Sequence, residues 1–284
     1  MNGQPVTGNV LNHLIVACGL FDGAAPYRPY GGLSGINNST NSVSSSYNAL
    51  QIGVSRYFGG LNGSLAYTYG HSIDEGSNGA YGGTEVINSY NLSQSRASSN
   101  FDERHSLAVS LVYDIPLFTQ PGLLHSVLGG WQVSDLTIFQ TGTPFSLTNQ
   151  AYTDNAGTYP DIIGNIHGKV AVKYPAGQGP RLYNSEAFAA PQGLTYGNAG
   201  RNVLNLPSRT NFDMGLFKNF AIRESMHFEF RTEAFNVFNH TQWSTINSST
   251  SCYTAPSSCS TDPFLTATAA HNARILQLAG KFVF

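Results

Sequence analysis

Two groups of side chains have the types and spacing to do chemistry. His227, Glu229, Arg231 and Glu233 recur at every second position. In an extended chain that spacing puts all four on one face at intervals of about 7 Å. Imidazole, carboxylate and guanidinium in such a row can hold a polar solute, or can pair with neighbouring strands as an ion-paired wall. Asp102, Glu103 and His105 form the second group, and carboxylates with imidazole suit divalent cations. Arg104 stands among them and neutralises the acids, and no second ligand group lies at a telling spacing. They read as a polar cluster at a strand end, and no metal is assigned. The sequence contains no Gly-x-Ser-x-Gly, phosphate loop, His-Glu-x-x-His or Cys-x-x-Cys, the patterns that would place a nucleophile, phosphate or zinc. Gly197-Asn198-Ala199-Gly200-Arg201-Asn202 does not follow a strand and open a helix, so it is not a dinucleotide loop. No enzymatic activity and no cofactor are expected. Cys252 and Cys259 lie close together in a Ser/Pro/Thr-rich stretch. They suit a loop disulfide in an oxidising compartment or two free thiols equally, and Cys18 is left over.

The elements that must position these groups are strands. Alternation with period two is the dominant local signal. In 104–115, Leu107, Val109, Leu111, Tyr113 and Ile115 share one face. In 226–238, Phe228, Phe230, Thr232, Ala234 and Phe238 lie opposite the charged row. The C-terminal segment repeats the pattern with Leu276, Leu278, Gly280, Phe282 and Phe284. Further strands are expected over 46–58, 62–73, 128–141 and 211–221. The segment 128–141 alternates poorly, with Asp135 between Val133 and Thr137, and is read as a strand for its β-branched and aromatic content. No stretch carries a helical apolar stripe, although 185–190 has room for one short helical turn.

The connections between these seven strands run roughly 3, 30, 12, 70, 4 and 34 residues, and long ones are unusual inside a compact soluble domain. Short and long alternate throughout, as in outer-membrane barrels with short periplasmic turns and long extracellular loops. Counting back from a final strand that ends at the periplasm, 57–61, 116–127 and 222–225 fall on the periplasmic side. The stretches 71–103, 142–210 and 239–272 fall outside. The expected fold is all-β: an antiparallel meander of about seven transmembrane strands, a partial barrel, with long extracellular loops. Residues 1–45 are expected to be an extended or loop segment, and 46–284 the barrel portion. Trp131, Tyr57, Phe58, Phe282 and Phe284 cluster near the periplasmic strand ends as an aromatic girdle would. Lys218 and Lys281 are expected to snorkel near an interface or face the lumen. Tyr152, Tyr159, Tyr174 and Tyr183 stand in the largest outer loop, where they suit ligand capture.

Composition agrees. Charged residues make up 11% of the chain and aromatics 12%, with a net charge of −2. The absence of a basic surplus excludes a phosphate-backbone partner, so no nucleic acid is expected. No apolar run of about 18 residues exists to form a membrane helix. The first eleven residues carry no Lys or Arg, so no secretory leader is read there and the chain is expected to be truncated.

A series of ordered motifs then carries a family resemblance. It opens with Ser46-Tyr47-Asn48-Ala49-Leu50-Gln51, Ser64-Leu65-Ala66-Tyr67-Thr68-Tyr69 and Ser72-Ile73-Asp74. It continues through Asn100-Phe101-Asp102-Glu103-Arg104-His105, Gly130-Trp131-Gln132-Val133-Ser134 and Gln140-Thr141-Gly142-Thr143-Pro144-Phe145. It closes with Ala187-Phe188-Ala189, Tyr196 to Asn202, Leu216-Phe217-Lys218-Asn219-Phe220 and Phe230 to His240. From about Tyr27 to Phe284 this order and spacing resembles the large TonB-dependent outer-membrane receptors of the Oar-like type, which carry a carboxypeptidase-regulatory-like domain. The terminal Phe282 and Phe284, with apolar residues at alternate positions before them, look like the C-terminal signature that the barrel-assembly machinery reads. The resemblance implies a plug and a barrel of about 22 strands, of which this chain covers the last part. It implies a receptor that takes up a small-molecule, glycan or peptide ligand, coupled to TonB only through a plug this sequence lacks. Outer-membrane lipid is the further expected partner, and the bacterial outer membrane the expected location. The alternatives are a passive porin-like or structural barrel and a soluble secreted glycan-binding β protein.

Overall fold

The computed structural model describes residues 42–77, 88, 91–149, 159–190, 196–223, 226–250 and 263–284. Cys18, Cys252, Cys259 and Tyr152, and almost all of the expected segment 1–45, lie outside the described residues. Seven long strands form one sheet: β1 (Ser45–Phe58), β2 (Leu61–Asp74), β3 (His105–Asp114), β4 (Trp131–Gln140), β5 (Arg209–Arg223), β6 (Met226–Phe235) and β7 (Ile275–Val283). Each pairs antiparallel with the next in chain order. A two-residue strand, Ala97–Ser98, adds to the end of β2. Among the described residues no pairing joins β1 to β7, so the meander is an open wall. The β1–β2 turn is Gly59-Gly60, both at positive φ, a tight hairpin geometry that glycine enters without strain.

Register sorts the side chains into two faces. Leu65 of β2 stands beside Val109 of β3, and Leu107 beside Phe139 of β4. Leu216 of β5 meets Val133 and Thr232, and Phe228 meets Phe282. This is the apolar face. Ser64, Ser110, Ser134, Asn219, Glu229 and Lys281 lie on the other. An apolar face meets lipid and a polar face meets a wet lumen in a barrel of this kind. Along the lower edge of the apolar face the rings stack. Trp131 contacts Phe220 and Phe230 edge-on, and the Phe228 and Phe282 centroids are 4.8 Å apart. Tyr57 departs from the expected girdle: it pairs with Asn62 and points to the polar face.

Two expectations at strand ends need correction. The segment 128–141 is not strand throughout. Residues Leu123–Leu128 form a helix, α1, and β4 begins only at Trp131. Gly129 and Gly130 break the helix, Gly130 at positive φ, so the chain reverses there before extending. Likewise β6 stops at Phe235, because Asn236 takes a left-handed conformation that Asn tolerates and a strand does not. Phe238 therefore leaves the strand and packs edge-on against Phe212, centroids 5.0 Å apart. The expected helical turn near 185 is a 3-10 turn, Ser185–Ala187, which ends in a two-residue strand, Phe188–Ala189.

The poor alternation of β4 has a structural outcome. The strand runs without a bulge, so Asp135 lies on the apolar face between Leu111 and Met214. Thr137 Oγ1 donates to its carboxylate at 2.9 Å. A carboxylate in mid-strand facing lipid is costly. Asp135→Leu is therefore expected to stabilise the folded wall by about 1–2 kcal/mol. Urea unfolding in lipid vesicles reads this, and a loss of stability contradicts the lipid-facing assignment.

The hydrophobic core lies outside the sheet. Every buried hydrophobic residue among those described belongs to the connecting segments. Leu147, Phe188, Leu204, Ile246, Phe264 and Leu265 form one cluster. Short strand pairs frame it: Pro144–Phe145 with Leu204–Asn205, Asp161–Ile162 with Phe188–Ala189, and Trp243–Ile246 with Ala267–Ala270. The long loops after β4 and β6 thus fold together into a lobe with its own interior.

Candidate functional site on the polar wall

The β5–β6 hairpin sets the charged row. Its register places Asn219 opposite Glu229, Phe217 opposite Arg231 and Gly215 opposite Glu233. On the far side β7 places Lys281 beside Glu229 and Gln277 beside Glu233. All four sequence-expected residues, His227, Glu229, Arg231 and Glu233, share the polar face. They do not pair uniformly. His227 Nε2 lies 3.3 Å from Glu229 Oε1, and Lys281 Nζ lies 3.8 Å from Glu229 Oε2. These half-exposed pairs contribute about 0–1 kcal/mol each. Arg231 has no carboxylate partner within ion-pair distance among the described residues; its guanidinium sits 5.1 Å from the Phe217 ring centroid. Opposite Glu233 stands Gly215, whose missing side chain makes room for the Phe217 ring and the Ser134 hydroxyl rather than for a charge.

Glu229, Arg231 and Glu233 line an open depression of about 560 Å³ together with Gln132, Ser134 and Asn219. Gln132, Ser134 and Asn219 are missing from the sequence reading. Counting back along β5 from the Arg223–Met226 pair places Phe220 opposite Glu229; the register shift between Ala221 and Arg223 puts Asn219 there instead. Gln132 and Ser134 need the β4–β5 register, which a long connection hides. The depression offers a guanidinium, carboxylates, amides and a hydroxyl on one wall, a donor and acceptor set suited to a polar solute.

The second group from the sequence disperses. Asp102 accepts from the Ser72 amide at 2.7 Å, from His71 at 3.1 Å and from Arg104 at 3.1 Å. Glu103 accepts from Gln140 at 2.9 Å, and His105 Nδ1 bonds the Tyr67 hydroxyl at 2.8 Å. Asp102 and His105 therefore serve β2, and Glu103 between them serves β4. Among the described residues no group of three His, Cys, Asp or Glu side chains converges.

The loop tyrosines also divide. Tyr159 is buried. Tyr183 donates its hydroxyl to the Asn205 carbonyl at 2.5 Å, and burial pushes its pKa above the usual phenol value. Tyr174 alone of the three described is well exposed, with Lys173 over its ring. Lys218 lies on the apolar face, over the rings of Trp131 and Phe220, and Lys281 on the polar face. Phe282 packs in the ring ladder, while Phe284 is exposed at the chain end.

The Gly197 to Asn202 motif is structural. Arg201 is buried and its guanidinium grips the Asp74 carboxylate. It also donates to the Asp74 carbonyl at 2.8 Å, the Ser95 carbonyl at 2.9 Å and the Ser77 hydroxyl at 3.1 Å. Asn202, at positive φ, donates to the Ser98 carbonyl and the Asn100 side chain. One arginine thus ties the loop after β4 to the end of β2 and the loop beyond it.

The sequence profile of an outer membrane beta barrel domain family matches residues 4–277. No curated protein and no solved structure matches the chain.

Proposed function

Because the chain belongs to the outer membrane beta barrel domain family, we propose that it forms the C-terminal wall and loops of a TonB-dependent receptor that takes up a polar ligand across the bacterial outer membrane. The observation that carries this reading is the pair Arg231 and Glu233, set on the polar wall beside a 560 Å³ depression with no ion-pair partner among the described residues. A wall that served structure alone would pair these charges. The role is binding and passage rather than bond-making. In the receptors this sequence resembles, a plug carries the contact with TonB. The barrel-assembly machinery is the proposed reader of Phe282 and Phe284. A passive porin-like wall is the second reading, favoured by the same open polar face.

Uptake of a labelled maltodextrin and a labelled hexapeptide into cells expressing the whole receptor of which this chain is the proposed C-terminal part separates the readings. A TonB-dependent receptor stops uptake when a protonophore collapses the inner-membrane gradient, yet still binds the probe. A passive pore keeps passing it. Losing one charge-assisted hydrogen bond costs about 1.5–3 kcal/mol, so Arg231→Ala and Glu233→Gln are each expected to weaken probe binding at least about tenfold. Unchanged binding in both variants removes the depression as the site.

A further inference from the structure

The helix α1 and the turn before it present an apolar surface that the wall does not use. Leu123 is 87% exposed, and Leu124, Val127 and Leu128 are also exposed, as are Leu117 and Phe118 just upstream. The four helical residues fall at i, i+1, i+4 and i+5, one stripe of the helix. The remaining two are polar and lie on the opposite side, also exposed: His125 Nδ1 contacts the Phe118 carbonyl at 2.6 Å, and Ser126 Oγ donates to the Gly122 carbonyl at 3.2 Å. The helix is therefore amphipathic within its six residues.

Its place on the wall identifies what it meets. Lys218 stands on the apolar face, between the rings of Trp131 and Phe220. Its ammonium donates to the Val127 carbonyl at 3.1 Å and to the Gly129 carbonyl. A cation at a helix C-terminus satisfies the carbonyls left open there. This bond holds the end of α1 on the apolar side of the sheet, beside the aromatic ladder that runs from Trp131 to Phe282. The exposed stripe thus continues the lipid-facing band past the strand ends.

We infer that α1 is an interfacial anchor that lies in the headgroup region of the outer membrane's periplasmic leaflet, its leucines in the acyl boundary and Lys218 fixing its end. An amphipathic helix binds in this manner about 5–10 Å into the interface. The inference rests on the outer-membrane placement of the wall, and its test separates the two.

The full chain, extracted from membranes, is reconstituted into phosphatidylethanolamine and phosphatidylglycerol vesicles. Tryptophan quenching is compared for lipids brominated near the glycerol, lipids brominated near the chain ends, and aqueous iodide. The natural protein and Trp131→Phe report on the wall. Leu123→Trp reports on the helix, Val127→Trp repeats it independently, and Tyr174→Trp is the exposed-loop reference. The expected result is that Leu123→Trp is quenched by lipid brominated near the glycerol at least about twofold more than Tyr174→Trp, and less by iodide. If Trp131 is quenched by lipid while position 123 is quenched by iodide, the helix stands in water and the inference falls. If position 123 is shielded from both, protein covers the helix and the inference falls equally. If Trp131 too escapes lipid quenching, the membrane placement of the wall fails with it.

Discussion

Arg201→Ala is expected to release the outer loops while leaving the wall in place. The guanidinium is 1% exposed and the Asp74 carboxylate 6%, so the variant strands a buried charge and three carbonyl or hydroxyl acceptors. Breaking a buried pair by removing one partner costs about 3–5 kcal/mol. The loss falls on the junction of the loop after β4 with the end of β2 and the segment 91–100, because those are the groups that Arg201 joins. Trypsin cleavage at Arg96, Lys169 and Lys173 is therefore expected to accelerate at least about a hundredfold, as local opening becomes easier by that energy. Heat-modifiable gel mobility, which reports the strands, is expected to persist. The double variant Arg201→Met with Asp74→Leu removes both charges and is expected to recover much of the protection. If Arg201→Ala cuts no faster than the natural protein, the motif from Gly197 to Asn202 does not hold these loops.

Phe188→Ala tests the second large effect. The Phe188 ring is fully buried and meets Phe264 edge-on at 5.8 Å. Truncating a buried phenylalanine costs about 3–5 kcal/mol, by lost transfer energy and the cavity left behind. Because the loop core has no counterpart inside the sheet, that cost is expected to unfold the lobe alone. Thermal unfolding should then split into two transitions: an early one for the lobe, and a late one for the strands at the natural temperature. Phe188→Leu keeps most of the volume and is expected to cost less than about 1.5 kcal/mol. A single transition that moves as a whole shows that lobe and wall unfold together.

The strands were largely legible in the sequence because each has one apolar and one polar face. A period of two survives without knowledge of neighbours, and Leu107 to Tyr113 or Phe228 to Ala234 display it locally. Asp135 interrupts the apolar pattern of β4 by its chemistry alone: the strand runs without a bulge, so the same period of two keeps it on the face of Val133 and Thr137. The helix α1 escaped the same reading. Six residues are too few to display a helical period, and Leu128 next to Trp131 invites an extension of the strand.

The row His227, Glu229, Arg231 and Glu233 was visible from spacing, but its use was not. Spacing makes the four equivalent. The structure divides them: Glu229 shares His227 and Lys281, Arg231 rests on Phe217, and Glu233 faces glycine. That division depends on cross-strand partners brought in from β5 and β7.

The amino-acid sequence by itself determined the wall: its seven strands, their antiparallel order and the chemical character of each face. Those features follow from alternation along each strand and from the regular exchange of short and long connections between strands. Only the tertiary structure decided that the long Asn-, Ser- and Gly-rich connections fold into a lobe, with Phe188, Phe264 and Leu147 at its centre and Arg201 locked to Asp74. The bonds that hold it span 83 positions from Arg181 to Phe264 and 127 from Arg201 to Asp74. No local period records a contact of that span; it exists only once the register of the wall has brought the loop ends together.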